Sequence, residues 1–239
     1  MNLKAMRIRA WLLHLFTASG AFFGVLAIDQ IYQQHFTNVF WLITLMILID
    51  AVDGTFARKW AVSRVLPQVD GCLLDNLVDY FTYAIVPAVF FLKTTLLINP
   101  LNTIAALFII LASAYQFTQT NAKTDDHFFK GFPSYWNITA LYLYYWEFSS
   151  TITFFIITAC AILSFIPIKY IYPSRLDNLS RHRLIRYSIF MLTLVWGMAT
   201  ILMIYLMPER LYALKVIILI YIAFYFIFSF YRTLKPVSQ

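Results

Sequence analysis

The chain has 239 residues, of which 62% are hydrophobic, 19% aromatic and only 12% charged. An average soluble domain is roughly 45–50% apolar and about a quarter charged, so this composition excludes an ordinary water-soluble globule, a disordered tail and a basic nucleic-acid module. The net charge of +7 has to be read from its distribution along the chain, because in so apolar a sequence the first anionic partner is a membrane surface.

Apolar runs fall at 10–28, 38–52, 73–92, 101–119, 134–149, 151–170, 184–206 and 211–231, each near the roughly 20 residues that carry a helix through hydrocarbon. The runs are continuous and do not alternate like barrel strands, and backbone amides in lipid must be satisfied within their own segment. The expected fold is therefore an all-α integral membrane protein, a bundle of eight transmembrane helices forming one domain over 1–239. The N-terminus carries Lys4, Arg7 and Arg9 before the apolar residues begin at Trp11, which resembles a signal peptide. The run continues to Ile28, long enough to span, and is read as an uncleaved first helix.

Fifteen of the eighteen Lys and Arg residues fall on one side of this arrangement, and only Lys93, Arg210 and Lys215 on the other. Cytoplasmic connections hold the excess of positive charge, so both termini are expected in the cytoplasm, and an odd number of spans would scramble the segregation. The weakest boundary is Glu147-Phe148-Ser149-Ser150 between the fifth and sixth spans. Cys72 and Cys160 lie far apart in apolar surroundings and are read as packing residues, neither a disulfide framework nor a thiolate metal site.

Charge at membrane depth is costly, so the acidic residues carry the most information. Asp50, Asp53, Asp70, Asp75 and Asp79 crowd the window between the second and third spans. Asp50 and Asp53 are three apart and Asp75 and Asp79 four apart, so on helices each pair projects from one face. Four carboxylates in a partly apolar site repel one another unless cations neutralise them. Oxygen-only ligands suit Mg²⁺ or Mn²⁺, and no neighbouring cluster of His or Cys points to zinc or copper. The plainer alternative is that individual aspartates cap helices or pair with Arg58, Lys59 and Arg64.

The residues run Asp50-Ala51-Val52-Asp53-Gly54-Thr55-Phe56-Ala57-Arg58, then twelve residues, then Gly71-Cys72-Leu73-Leu74-Asp75-Asn76-Leu77-Val78-Asp79. This resembles the signature D-x-x-D-G-x-x-A-R … G-x-x-x-D-x-x-x-D of the CDP-alcohol phosphatidyltransferases, and every fixed position is matched. The interval over 59–70 is longer than the family's usual one, and eight spans exceed the six common in the superfamily. Both features look like the bacterial phosphatidylcholine synthase branch. The stretch Asp125-Asp126-His127-Phe128-Phe129-Lys130-Gly131-Phe132-Pro133-Ser134-Tyr135-Trp136-Asn137, in the next cytoplasmic connection, is similar to that branch as well.

The resemblance implies transfer of the phosphatidyl group of CDP-diacylglycerol to choline, with CMP released, at two bound Mn²⁺ or Mg²⁺ ions. It implies Asp50, Asp53, Asp75 and Asp79 as metal ligands, Asp79 also as general base, and Gly54, Ala57, Arg58 and Gly71 against the nucleotide and its phosphates. It further implies a bacterial inner-membrane location, an active site facing the cytoplasm, and a homodimer among membrane lipids. Choline's quaternary ammonium calls for aromatic faces and a counter-charge. The candidates include Tyr80, Phe81, Tyr83, Tyr115, Tyr142, Tyr145 and Trp146, with Tyr135 and Trp136 preferred, Asp126 as counter-charge and Lys130 as a contact for the lipid phosphate. The basic stretch Arg175, Arg181, His182, Arg183 and Arg186 is read as a topology signal that meets anionic headgroups. The histidines show no ligand spacing. Two other readings stand beside this one: a sister transferase using serine, inositol or glycerol phosphate, and a cation transporter, which would call for repeated halves that the sequence does not display.

Overall fold

The computed structural model describes residues 2–122, 124, 128–171 and 183–234. Among these residues ten helices occur in chain order: α1 (Leu3–Tyr32), α2 (Phe36–Lys59), the single turn α3 (Val62–Val65), α4 (Gly71–Asp79), α5 (Val86–Lys93), α6 (Leu101–Thr118), α7 (Trp136–Trp146), α8 (Ser150–Phe165), α9 (Arg183–Tyr205) and α10 (Tyr212–Leu234). A π-helical segment, Tyr80–Ile85, joins α4 to α5, so that Gly71–Lys93 is one continuous apolar rod. Among the described residues six helices are long and apolar enough to cross a membrane: α1, α2, this rod, α6, α9 and α10. Their outward faces stay apolar, with Leu12, Leu48, Leu107, Leu111 and Ile227 exposed, as expected where lipid replaces water.

The fifth and sixth apolar runs become shorter helices than the sequence predicts. α7 has 11 residues and α8 has 16, about 16 and 24 Å at 1.5 Å per residue, against roughly 30 Å of hydrocarbon. Their ends have local causes. Glu147 adopts a left-handed conformation, φ 53°, and closes α7; Ser149 then caps α8, its side chain accepting from the Ile152 N–H. Pro167 follows the end of α8, where a helix cannot continue. α7 starts beside α6, where the Trp136 indole N–H donates to Ser113 Oγ at 2.8 Å, and ends where Arg210 meets Glu147 at 2.7 Å. α8 starts where Ser150 Oγ accepts from the Ile98 N–H and ends against Phe132, so the two helices run antiparallel.

The fold is also not purely helical. β1 (Phe128–Lys130) and β2 (Lys169–Ile171) pair antiparallel, with Lys130 opposite Lys169. The strands lie in the connections flanking α7 and α8, where backbone polar groups without a helix need another partner. The chain then docks on α8: Gly131 N–H bonds Ile168 O and Phe132 N–H bonds Leu163 O. Gly131 has φ +82°, and a Cβ there would collide with the Ser164 carbonyl oxygen.

The main core is aromatic and joins α2, α5 and α7: Phe40, Phe90 and Tyr144 meet with ring centroids 5.4–5.9 Å apart. α1 approaches the rod closely through small residues, for a Cβ on Gly20 would sit 2.9 Å from Val78 Cγ1 and one on Gly24 2.6 Å from the Phe81 ring. Cys160 is buried, as expected of a packing residue; Cys72 is exposed, because it lies off the face that α4 turns to α1.

Candidate active site

The acidic residues are placed by two helices lying across α1. Asp50 and Asp53 project from the last turns of α2, and Asp75 and Asp79 from α4. A carboxylate oxygen from each of Asp50, Asp75 and Asp79 lies within 4.8 Å of the other two. All four acids line one pocket, with Thr17 and Gly20 of α1 and Thr82 of the π segment on its walls. The pocket offers about 10 Å³ to the centre of a water-sized sphere, room for an ion or a water.

Asp53 stands slightly apart from the three. It is 4% exposed, and the Thr17 hydroxyl bonds its carboxylate. The fifth acid of the window, Asp70, takes the plainer role the sequence allows it. Its Oδ1 accepts from the N–H groups of Cys72 at 3.1 Å and Leu73 at 3.0 Å, capping α4, which satisfies helix donors that lack an internal partner. The cap fixes where α4 begins and hence the heights of Asp75 and Asp79.

The π segment follows Asp79 directly. Pro87, at the start of α5, has no N–H and its ring crowds the preceding turn, and the widened turn bridges the defect with a five-residue bond from Val86 N–H to Phe81 O. Within it, the buried Tyr83 donates its hydroxyl to Asp50 Oδ2 at 2.8 Å. This bond ties the rod to α2 at the centre of the acid group. A π turn at a functional position is a common placement.

Of the residues expected at the nucleotide, Gly54 leaves an open helix face: a Cβ there would meet only the flexible end of Arg58, at 3.3 Å. Arg58 is exposed, its guanidinium 3.4 Å from Thr55 Oγ1. Ala57 is half-buried against the small cluster of Ala10, Leu13, Val62 and Leu66. Gly71 opens α4 against His14, whose Cε1 would lie 3.0 Å from a Cβ at that position.

The loop candidates divide. Tyr135 is half-buried, with its ring centroid 6.5 Å from Tyr83 and 6.3 Å from Phe129, so one aromatic group leads away from Asp50. Trp136, one residue on, is fully buried, edge-on to Phe132 and bonded to Ser113; it packs behind that group. Lys130 lies on β1, half-buried. Asp126 lies outside the described residues, as do most members of the basic stretch before α9.

Sequence reasoning missed Thr17, Thr82 and Gly20, and placed Tyr83 only among the aromatic candidates. A signal was present for α1: Thr17, Gly20 and Gly24 are small or polar residues at helical spacing in an otherwise apolar run, as expected where one membrane helix approaches another closely.

No family model matches the chain. The chain is 42% identical to the phosphatidylcholine synthase of Legionella pneumophila over 231 residues, 96% of this chain and 91% of that protein. It is 35% identical to the phosphatidylcholine synthase of Borreliella burgdorferi over 232 residues, 95% of this chain and 96% of the relative. A third similarity, 37% over 172 residues, is to the phosphatidylcholine synthase of Agrobacterium fabrum and covers 72% and 71% of the two chains. Likeness of this depth, sustained from the helices that build the acid pocket to the far end of the bundle, means that the chain belongs to the phosphatidylcholine synthase family.

Proposed function

We propose that the protein is a membrane phospholipid synthase that transfers the phosphatidyl group of CDP-diacylglycerol to choline, giving phosphatidylcholine and CMP. The observation that carries this reading is the convergence of Asp50, Asp75 and Asp79 within 4.8 Å in a chain of the phosphatidylcholine synthase family. Three converging, partly buried carboxylates with only oxygen donors fit hard divalent cations, Mn²⁺ or Mg²⁺. Asp50, Asp53, Asp75 and Asp79 would hold two such ions, which when bound supply positive charge to the diphosphate and to the departing CMP.

The chain's own residues then have separable tasks. Gly54, Ala57 and Gly71 let the cytidine approach the helix backbones, and Arg58, on the exposed end of α2, contacts the nucleotide phosphates. Asp79 takes the proton of the choline hydroxyl as the choline oxygen bonds to the phosphatidyl phosphorus and the bond from that phosphorus to the CMP oxygen breaks. Tyr83 orients Asp50. Tyr135 offers the ring face that suits a quaternary ammonium, with Trp136 supporting it from behind, Asp126 as counter-charge and Lys130 toward the lipid phosphate.

We take the whole chain, 1–239, as one domain with eight membrane passages and both termini cytoplasmic, in a bacterial inner membrane. The antiparallel run of α7 and α8 supports the count. The buried, non-helical residues Phe132, Pro133 and Ser134 ahead of α7 supply height that its short helix lacks, and irregular backbone at membrane depth is tolerated where protein encloses it. The charge asymmetry supports the orientation, with the acids at the cytoplasmic end. The assembly implied by the family resemblance is a homodimer.

The test is incubation of purified protein with CDP-diacylglycerol, Mn²⁺ and labelled choline, serine, inositol or glycerol phosphate in turn. Label enters lipid, with stoichiometric CMP, from choline alone. Incorporation of serine but not choline would reassign the protein to a sister transferase.

A further inference from the structure

The connection from β1 to α7 is held in a conformation its backbone does not favour. Gly131 and Ser134 both lie in the left-handed region, at φ 82° and 56°, and Ser134 carries a Cβ that disfavours it. Such a conformation persists only where the surroundings over-determine it, and strain of this kind collects at functional sites. Tyr135 follows directly. Its ring lies beside Tyr83, whose hydroxyl meets Asp50.

Two buried polar residues of α6 hold the two ends of this stretch. Gln116 donates from Nε2 to the Lys130 carbonyl at 3.1 Å, and Ser113 Oγ accepts the Trp136 indole N–H at 2.8 Å. They stand three apart on α6, hence on one face of the helix. A serine and a glutamine enclosed in an apolar helix cost free energy unless their polar groups are bonded. Here each bond secures a different end of one loop. Beyond α6, the tip of α8 grips the middle, where the Phe132 N–H donates to the Leu163 carbonyl at 3.1 Å. Bonds to a carbonyl and to an indole stabilise any loop; these two also bracket the strained turn that sets where the Tyr135 ring sits.

We propose that Ser113 and Gln116 are positioning residues for the acceptor alcohol: resting on Tyr135 as the face that meets choline's ammonium, they fix the loop that carries this ring and so set how well the acceptor is held. Neither touches the acceptor itself. Both act through Tyr135.

The test is the steady-state kinetics of full-length Ser113→Ala and Gln116→Leu, alone and each combined with Tyr135→Leu, together with amide hydrogen exchange of the same proteins. In either α6 variant exchange rises in peptides spanning 130–136 and stays at the wild-type level in α1 and α2. Choline KM rises about threefold to tenfold, the scale of one neutral hydrogen bond, while kcat and the KM for CDP-diacylglycerol stay within about twofold of wild type. Tyr135→Leu alone raises choline KM about tenfold, the scale of a partly desolvated cation–π contact. In its background neither α6 substitution raises choline KM further, because residues acting through one group are not additive. Where Gln116→Leu fails to fold, Ser113→Ala, which removes a single oxygen, carries the same comparison.

A choline KM that responds to Tyr135→Leu but to neither α6 variant, or α6 effects that add in full to that of Tyr135→Leu, overturns the positioning role. A choline KM unmoved by Tyr135→Leu overturns instead the placing of Tyr135 at the acceptor. Unchanged exchange over 130–136 in both α6 variants shows that the loop holds without them and overturns the clamp, a result that is read whether or not choline is the acceptor.

Discussion

Removing a single oxygen atom from Tyr83 isolates what its hydroxyl does. Tyr83→Phe deletes the donor 2.8 Å from Asp50 Oδ2 and leaves the ring in place against Tyr135, 6.5 Å away between centroids. A hydrogen bond to a charged acceptor contributes about 1.5–3 kcal/mol, and each 1.4 kcal/mol is about a factor of ten. In the proposed role the hydroxyl acts on Asp50 before the reaction begins, by orienting a carboxylate that would receive the cation. Its loss therefore appears chiefly in metal affinity, where substitutions behind a ligand commonly cost roughly 10- to 100-fold. The assay is CMP release at saturating CDP-diacylglycerol and choline while Mn²⁺ is varied. The concentration for half-maximal rate rises at least about tenfold, and excess Mn²⁺ restores much of the rate. Thermal melting falls only as far as the loss of this one bond allows, because the ring and its packing are kept. A Tyr83→Phe protein that melts normally and needs no more Mn²⁺ than wild type would refute the orienting role.

Two further outcomes follow from the same geometry. Asp79→Asn keeps the shape of the side chain but can neither accept the choline proton nor supply a full ligand charge, so CMP release falls by at least about a hundredfold, general base catalysis alone accounting for roughly 10²–10⁴, while the protein still elutes and melts as a folded species; unchanged turnover would remove Asp79 from the reaction. Gly131→Ala forces a Cβ into the left-handed region and onto the Ser164 carbonyl, destabilising the loop that carries Tyr135 by at least about 2 kcal/mol; a melting temperature equal to wild type would show that the loop relaxes without cost.

The sequence by itself determined the solvent and the class of fold, and it marked the acids that the structure brings together. Long uninterrupted apolar runs leave helices as the natural arrangement. Asp50, Asp53, Asp75 and Asp79 declare themselves because a carboxylate among apolar residues needs a physical reason, and their spacing of three and four shows which pairs share a helix face. These are local facts, set by neighbours along the chain. Where each acid lies, and what it meets, was decided only when helices met in space. Asp70 looks like the others in the sequence, yet its carboxylate turns back to cap α4, while Asp53 finds Thr17, more than thirty positions earlier. Tyr83 reads as one aromatic among many until the rod crosses α2 and brings its hydroxyl to Asp50.

The shortened α7 and α8 and the small β1–β2 pair likewise escaped the sequence, because hydrophobicity marks which residues avoid water and is silent on how much of a buried run is helix. There the protein interior could enclose irregular backbone, as it does at Phe132, Pro133 and Ser134. Composition and periodicity report on each residue's relation to solvent and to its own helix. Which side chains face each other across helices depends on crossing geometry, here set by the close approach of α1 through Gly20 and Gly24, and that approach exists only in the assembled bundle.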